Sequence, residues 1–180
     1  MFNTDLMNFL KSRPMRKLED IKTFVDVNKC DMTETRLGGV SVLSIAILNG
    51  YNVDVIQYFI KSGCDVDQQD ANGKTPVMIS FYEFREEVSW LLIQASKHLN
   101  VRCERGWTLV DYALQSSCSS PLLMKIISLE SELSESGMEN GRYLKLQEEY
   151  YIQRLITLKK EIKKSNIIPD TMKVVCCKFL

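Results

Sequence analysis

The pattern that most constrains this chain is a set of residues that returns every 33 or 34 positions. Gly73, Thr75, Val77 and Ser80 reappear as Gly106, Thr108, Val110 and Ala113, and one step earlier as Gly39, Ser41, Leu43 and Ala46. The register holds away from these turns. Ile21, Phe24 and Val25 fall on Val55, Tyr58 and Phe59, and Cys30-Asp31 falls on Cys64-Asp65. A unit this short cannot bury an apolar face by itself, so the period implies neighbours that stack and share one continuous core.

Each unit spells out its own elements. A loop ends at Thr75, a residue type that caps helices, and Pro76 follows at the first helical position, where a missing N–H costs nothing. The first helix carries a small residue (Ser12, Ala46, Ser80, Ala113) where two helices approach closely. The second carries the apolar sets Ile21/Phe24/Val25, Val55/Tyr58/Phe59 and Val88/Leu91/Leu92, and Gly63 supplies a left-handed residue to end it. Helices so short depend on packing for their stability.

The unit resembles the ankyrin repeat, whose pattern is G-x-T-P-L-H-x-A, a glycine, a V-x-x-L-L run and G-A-D-V-N. "GVSVLSIAILNG" with "VIQYFIKSGCDVD" is a good copy with one extra residue near Asn52. "GKTPVMISFYEF" with "VSWLLIQASKHLN" is another, with Phe84 at the inter-helix glycine. "GWTLVDYALQSS" opens a further copy, and residues 5–38 are a degenerate first one. The resemblance implies an all-α solenoid of about four helix-pair repeats (5–38, 39–72, 73–105 and 106–137, within 1–138), capped by a long C-terminal helix. Ser44, Met78 and Asp111 stand where the family keeps histidine, and Leu129 stands where the fourth copy should end in glycine. Ser120 and Pro121 read as the cap and first turn of the last second helix.

Residues 142–164, within a segment 139–166, read as one long helix. Tyr151, Leu155, Leu158 and Ile162 lie on one face, widened by Ile152 and Ile156. That stripe suits a cap lying on the last repeat. It also suits a coiled-coil seam, although Glu148 interrupts the seam and the helix holds barely three heptads. Residues 128–149 hold six acidic and two basic side chains, whereas 159–178 hold six lysines against Glu161 and Asp170.

The segment 167–180 ends "VVCCKFL". Cys177-Lys178-Phe179-Leu180 has the form of a prenylation signal, with Cys176 placed for a second acyl chain and the lysines placed for anionic lipid. Lys178 is not aliphatic, and a short buried helix is the competing reading. Membrane association through a lipidated C-terminus is thus one expectation.

The remaining chemistry is sparse. Net charge is zero with 45% apolar and 26% charged residues, which gives no bulk attraction to nucleic acid. The start lacks an apolar signal core, so the expected location is cytoplasmic, peripheral on membranes if lipidated. Six cysteines without a CxxC and one histidine, His98, give no metal-site spacing, and the thiols read as reduced and partly buried. Nucleophile, phosphate-loop and metalloprotease motifs are missing, so no enzyme activity, catalytic residue, cofactor or metal is expected. Asp65, Asp67 and Asp70 match turn positions.

What the resemblance implies is a non-catalytic protein-binding module that is monomeric and presents hairpin tips and first helices as one face. Trp107 lies at a tip between Arg102/Arg105 and Thr108, where Lys74 stands one repeat earlier. It is either a partner anchor or packed on the neighbouring hairpin. Phe81, Tyr82 and Phe84, and Tyr51 in the longer corner, complete the candidate partner-binding residues. Short divergent arrays of this kind are similar to host-modulating effectors of intracellular bacteria. They are also similar to poxviral adaptors that link a target to the ubiquitin machinery, and a host protein is the expected partner in both.

Overall fold

The architecture was established with a computed structural model, which describes residues 4–12, 15–33, 35, 38–116, 118–129 and 141–164. The helices are α1 (Thr4–Lys11), α2 (Leu18–Asn28), α3 (Val42–Leu48), α4 (Val53–Lys61), α5 (Pro76–Tyr82), α6 (Glu86–Ala95), α7 (Leu109–Gln115), α8 (Ser120–Ser128) and α9 (Gly141–Lys164). Extended pairing among the described residues is limited to one isolated bridge, Thr35 with Ser41. None of these helices is long and apolar enough to cross a membrane.

The helices form two stacked layers. First helices α1, α3, α5 and α7 follow one another, while α4 packs on α6 and α9 packs on α8. One apolar core runs through all of them, from Leu6 and Leu10 through Leu43, Ile56, Met78 and Leu92 to Leu109, Leu122 and Leu146. The 33-residue period is also written in the main chain. Ala71 N donates to Gly38 O at 2.6 Å, and Glu104 N donates to Asn72 O at 2.9 Å, which ties each hairpin to the next.

Two glycines record how close the hairpins come. A Cβ on Gly39 would sit 2.9 Å from Gln69 O, and one on Gly73 would sit 3.0 Å from Cys103 Cα. A Cβ on the matching Gly106 would meet nothing within 4 Å. All three have positive φ, which glycine adopts most readily.

The residue facing the cap is solved differently in each repeat. Ser41 Oγ accepts from Ser44 N and donates to Ser44 Oγ, both at 3.1 Å. Asp111 Oδ2 accepts from Thr108 N at 2.7 Å and from Thr108 Oγ1 at 2.8 Å. Thr75 has the extended backbone of a cap, yet its buried hydroxyl has no partner, because Met78 offers no acceptor. Thr75 is therefore a cap in conformation only, short of the hydrogen bond its residue type implies.

Three further expectations are corrected. The last second helix is capped at Ser119, not Ser120: the Glu86 carboxylate accepts from Ser119 N at 3.0 Å and from Ser119 Oγ. Ser12 lies beyond α1 instead of within it; it accepts from the Arg16 guanidinium, which also lies 4.8 Å from the Phe9 ring centre. On α9 the side chains packed on the core are Leu146 and Tyr150, whereas Tyr151, Ile152, Leu155 and Ile156 are exposed, so these four are not the capping face; Leu158 is half-buried, and the Ile162 side chain lies outside the described residues.

Candidate functional site

The candidate site is built on the first helices and tips of the third and fourth copies. Lys74 and Trp107 occupy the same tip position, one residue before the helix cap. Lys74 is half-buried, with Nζ 4.6 Å from the Tyr82 ring centre and 5.9 Å from that of Tyr112. Trp107 meets Tyr112 edge to face, with ring centres 5.5 Å apart. Tip, helix end and neighbouring repeat therefore join in one cluster of three rings and a cation. Such ammonium–ring contacts contribute on the order of 0.5–1 kcal/mol at exposed sites.

Tyr112 anchors the cluster from below. Its ring is buried, its hydroxyl donates to Cys103 Sγ at 3.5 Å, and burial holds its phenol well above the usual range. Arg102 and Arg105 are exposed beside Trp107, and Arg102 Nη1 donates to Gly106 O at 3.2 Å. Trp107 thus packs on a ring of its own repeat while keeping part of its surface open.

At the other end of α5, two aromatic side chains face solvent. Tyr82 is 54% exposed and Phe84 is 73% exposed. Phe84 stands at the left-handed position that follows a helix, with φ +56, where Gly50 and Gly63 have φ +79 and +92. Arg85 N donates to Ser80 O at 2.9 Å, the same closing bond as Tyr51 N to Ala46 O and Cys64 N to Phe59 O. Arg85 then clamps this corner to the previous repeat, donating from Nη1 to Ile47 O at 3.1 Å and from Nη2 to Tyr51 O.

Two candidate residues leave the surface. Phe81 is 1% exposed, because it points from α5 into the shared core. Tyr51 is also 1% exposed; its hydroxyl donates to Leu10 O at 3.0 Å and accepts from Arg16 N at 3.4 Å, so it locks α1 onto the stack. Cys176 and Cys177 lie outside the described residues. Two contributors were not singled out in the sequence. Tyr112 sits where Ile45 and Ile79 stand in the other copies, and exposed Leu48 takes the position of Tyr82 one repeat earlier. Sliding the period over the exposed positions finds Leu48, whereas Tyr112 reads as core until Lys74 is seen beside it.

The acidic cluster has structural occupants. Asp65 Oδ1 accepts from Asp67 N, Asp67 accepts from Ser96 and from Lys97 N, and Asp70 Oδ1 accepts from Asn72 N and Lys74 N at 2.9 Å each. Cys64 is buried and its thiol is pushed up to about 12, by burial first and then by Asp31 and Asp65. His98 is exposed in the loop after α6.

Comparison with known proteins agrees with this layout. The family model for ankyrin repeats, in three copies, matches residues 16–129 and so begins just after α1. The chain is 25% identical over 128 residues to the human protein phosphatase 1 regulatory subunit 27, covering 71% of this chain and 78% of that protein. The mouse protein of the same name is 27% identical over 92 residues, covering 51% and 58% respectively.

Proposed function

Because this chain belongs to the ankyrin-repeat family, we propose that it is a non-catalytic module that binds another protein through the first helices and tips of its third and fourth repeats. The residues are Lys74, Tyr82, Phe84, Arg102, Arg105 and Trp107, with Tyr112 as the buried support. The observation that carries this reading is Phe84. A left-handed backbone costs a non-glycine residue on the order of 1 kcal/mol, and an exposed aromatic ring recovers none of it within the fold. Exposed strain of this kind suits a ring that is buried only in a complex.

The proposal includes the host-directed role expected of a short, divergent array. A second reading rests on the relatives, whose name is that of a regulatory subunit of protein phosphatase 1. It favours an adaptor that attaches to a catalytic chain. Quantitative affinity capture separates the readings. Tyr82→Ala with Trp107→Ala should lower recovery of the specific partner by about tenfold or more, and the partner's identity tells a phosphatase from another target. Recovery equal to wild type would place the binding face elsewhere.

A further inference from the structure

We propose that the corner between α5 and α6 is a conformational coupler, which transmits docking at Tyr82 and Phe84 to α1 in one direction along the stack and to α8 in the other. Consecutive residues reach in opposite directions. Arg85 donates back to the second repeat, from Nη1 to Ile47 O at 3.1 Å and from Nη2 to Tyr51 O. Glu86 accepts from the fourth repeat, through Oε2 from Ser119 N at 3.0 Å and through Oε1 from Ser119 Oγ. Tyr51 extends the line, since its hydroxyl donates to Leu10 O at 3.0 Å. A line of side-chain bonds therefore runs from α1 through Tyr51, Arg85 and Glu86 to α8, across sequence separations of 41, 34 and 33 residues.

The charges suit the helix ends they meet. Arg85 places a cation at the last turn of α3, and Glu86 places an anion at the N-cap of α8. Hydrogen bonds with one charged partner are roughly twice as strong as neutral ones. Phe84 stands at the head of this corner in a left-handed backbone. A partner that fixes its ring also fixes the main chain from which Arg85 and Glu86 depart. The event that the line biases is local opening, which is easiest toward the ends of a chain, where α1 lies. Coupling is reciprocal, so whatever tightens the corner tightens both ends of the line. This docking half rests on the reading of Tyr82 and Phe84 as a binding face.

Amide hydrogen exchange of the full chain, read peptide by peptide, tests the line without any partner. Arg85→Met should raise exchange about tenfold in α1, and also in α8 beyond the repeat to which Arg85 donates. Glu86→Ala should raise it in α8 and, across the corner, in α1. Added to Arg85→Met, it should change α1 little further, because the line is already cut. Tyr51→Phe keeps the packed ring and removes only the hydroxyl. It should loosen α1 by itself, and it carries the test if Arg85→Met does not fold. Variants that loosen only the repeat they bond to, with effects that add, would overturn the coupler.

The docking half is tested with a nanobody selected on the wild-type chain and rejected by Phe84→Ala. Its binding should slow exchange in α1 and α8 of wild type by about fivefold or more, and in neither helix of Arg85→Met. Protection confined to α5 and α6 would overturn this half. The binding face itself fails by a different result, natural-partner capture that survives Tyr82→Ala with Trp107→Ala.

Discussion

Lys74 Nζ lies 4.6 Å from the centre of the Tyr82 ring, spanning α5 from the tip before its cap to its last residue. Tyr112, in the next repeat, lies 5.9 Å from the same ammonium. The contact orders a long cationic side chain across two repeats before any partner arrives. Lys74→Met keeps the stem and removes the charge. It should change stability by less than about 1 kcal/mol while weakening partner binding several-fold, as measured by urea unfolding and affinity capture on the same preparation.

Phe84→Gly should separate stability from function. Relief of the left-handed backbone is expected to stabilise the fold by roughly 1 kcal/mol, and loss of the exposed ring should weaken the partner complex. Such a trade is common where a site is strained for binding. A variant that is both less stable and fully active would show that the ring serves the fold instead.

The caps make a paired prediction. Thr108→Val removes the hydroxyl that donates to Asp111 Oδ2, leaves the backbone N–H contact in place, and should cost about 1–2 kcal/mol. Thr75→Val removes a hydroxyl that has no partner, so it should be neutral or stabilising. Parallel denaturation curves decide the point, and equal losses in both variants would contradict it.

Cys64 predicts an alkaline limit. Its folded thiol is pushed up to about 12 against an ordinary 9.0, so folding favours the protonated form. That contribution is complete below pH 9 and is lost as pH rises from about 9 toward 12, because the unfolded chain releases the proton first. The raised phenol of Tyr112 acts with the same sign at higher pH. Cys64→Ala should flatten the decline in unfolding free energy above pH 9.

Much of this was legible in the residues, for a physical reason. Turns need particular chemistry, so Gly73, Thr75 and Pro76 announce the period and the two-helix unit, and Phe84 stands out as a departure at a glycine position. Side-chain destinations set by distant contacts were not legible. Tyr51 reads as part of a longer corner, but its hydroxyl is used 41 residues away at Leu10. The α9 pattern has apolar residues on two sides, and periodicity cannot tell which side packs on α8. Tyr112 hides for a related reason, since a ring at a core position reveals its role only through the Lys74 and Trp107 side chains above it.

The most direct test of the binding face is site-specific photo-crosslinking in extract of the cells that express the protein. The probe p-benzoylphenylalanine replaces Tyr82 in one preparation and Val27, exposed on α2 away from the face, in another. A discrete adduct to one protein from position 82, reduced by Trp107→Ala and not formed from position 27, is the expected result. An adduct that forms equally from position 27, or that survives Trp107→Ala undiminished, would contradict the assignment of this face.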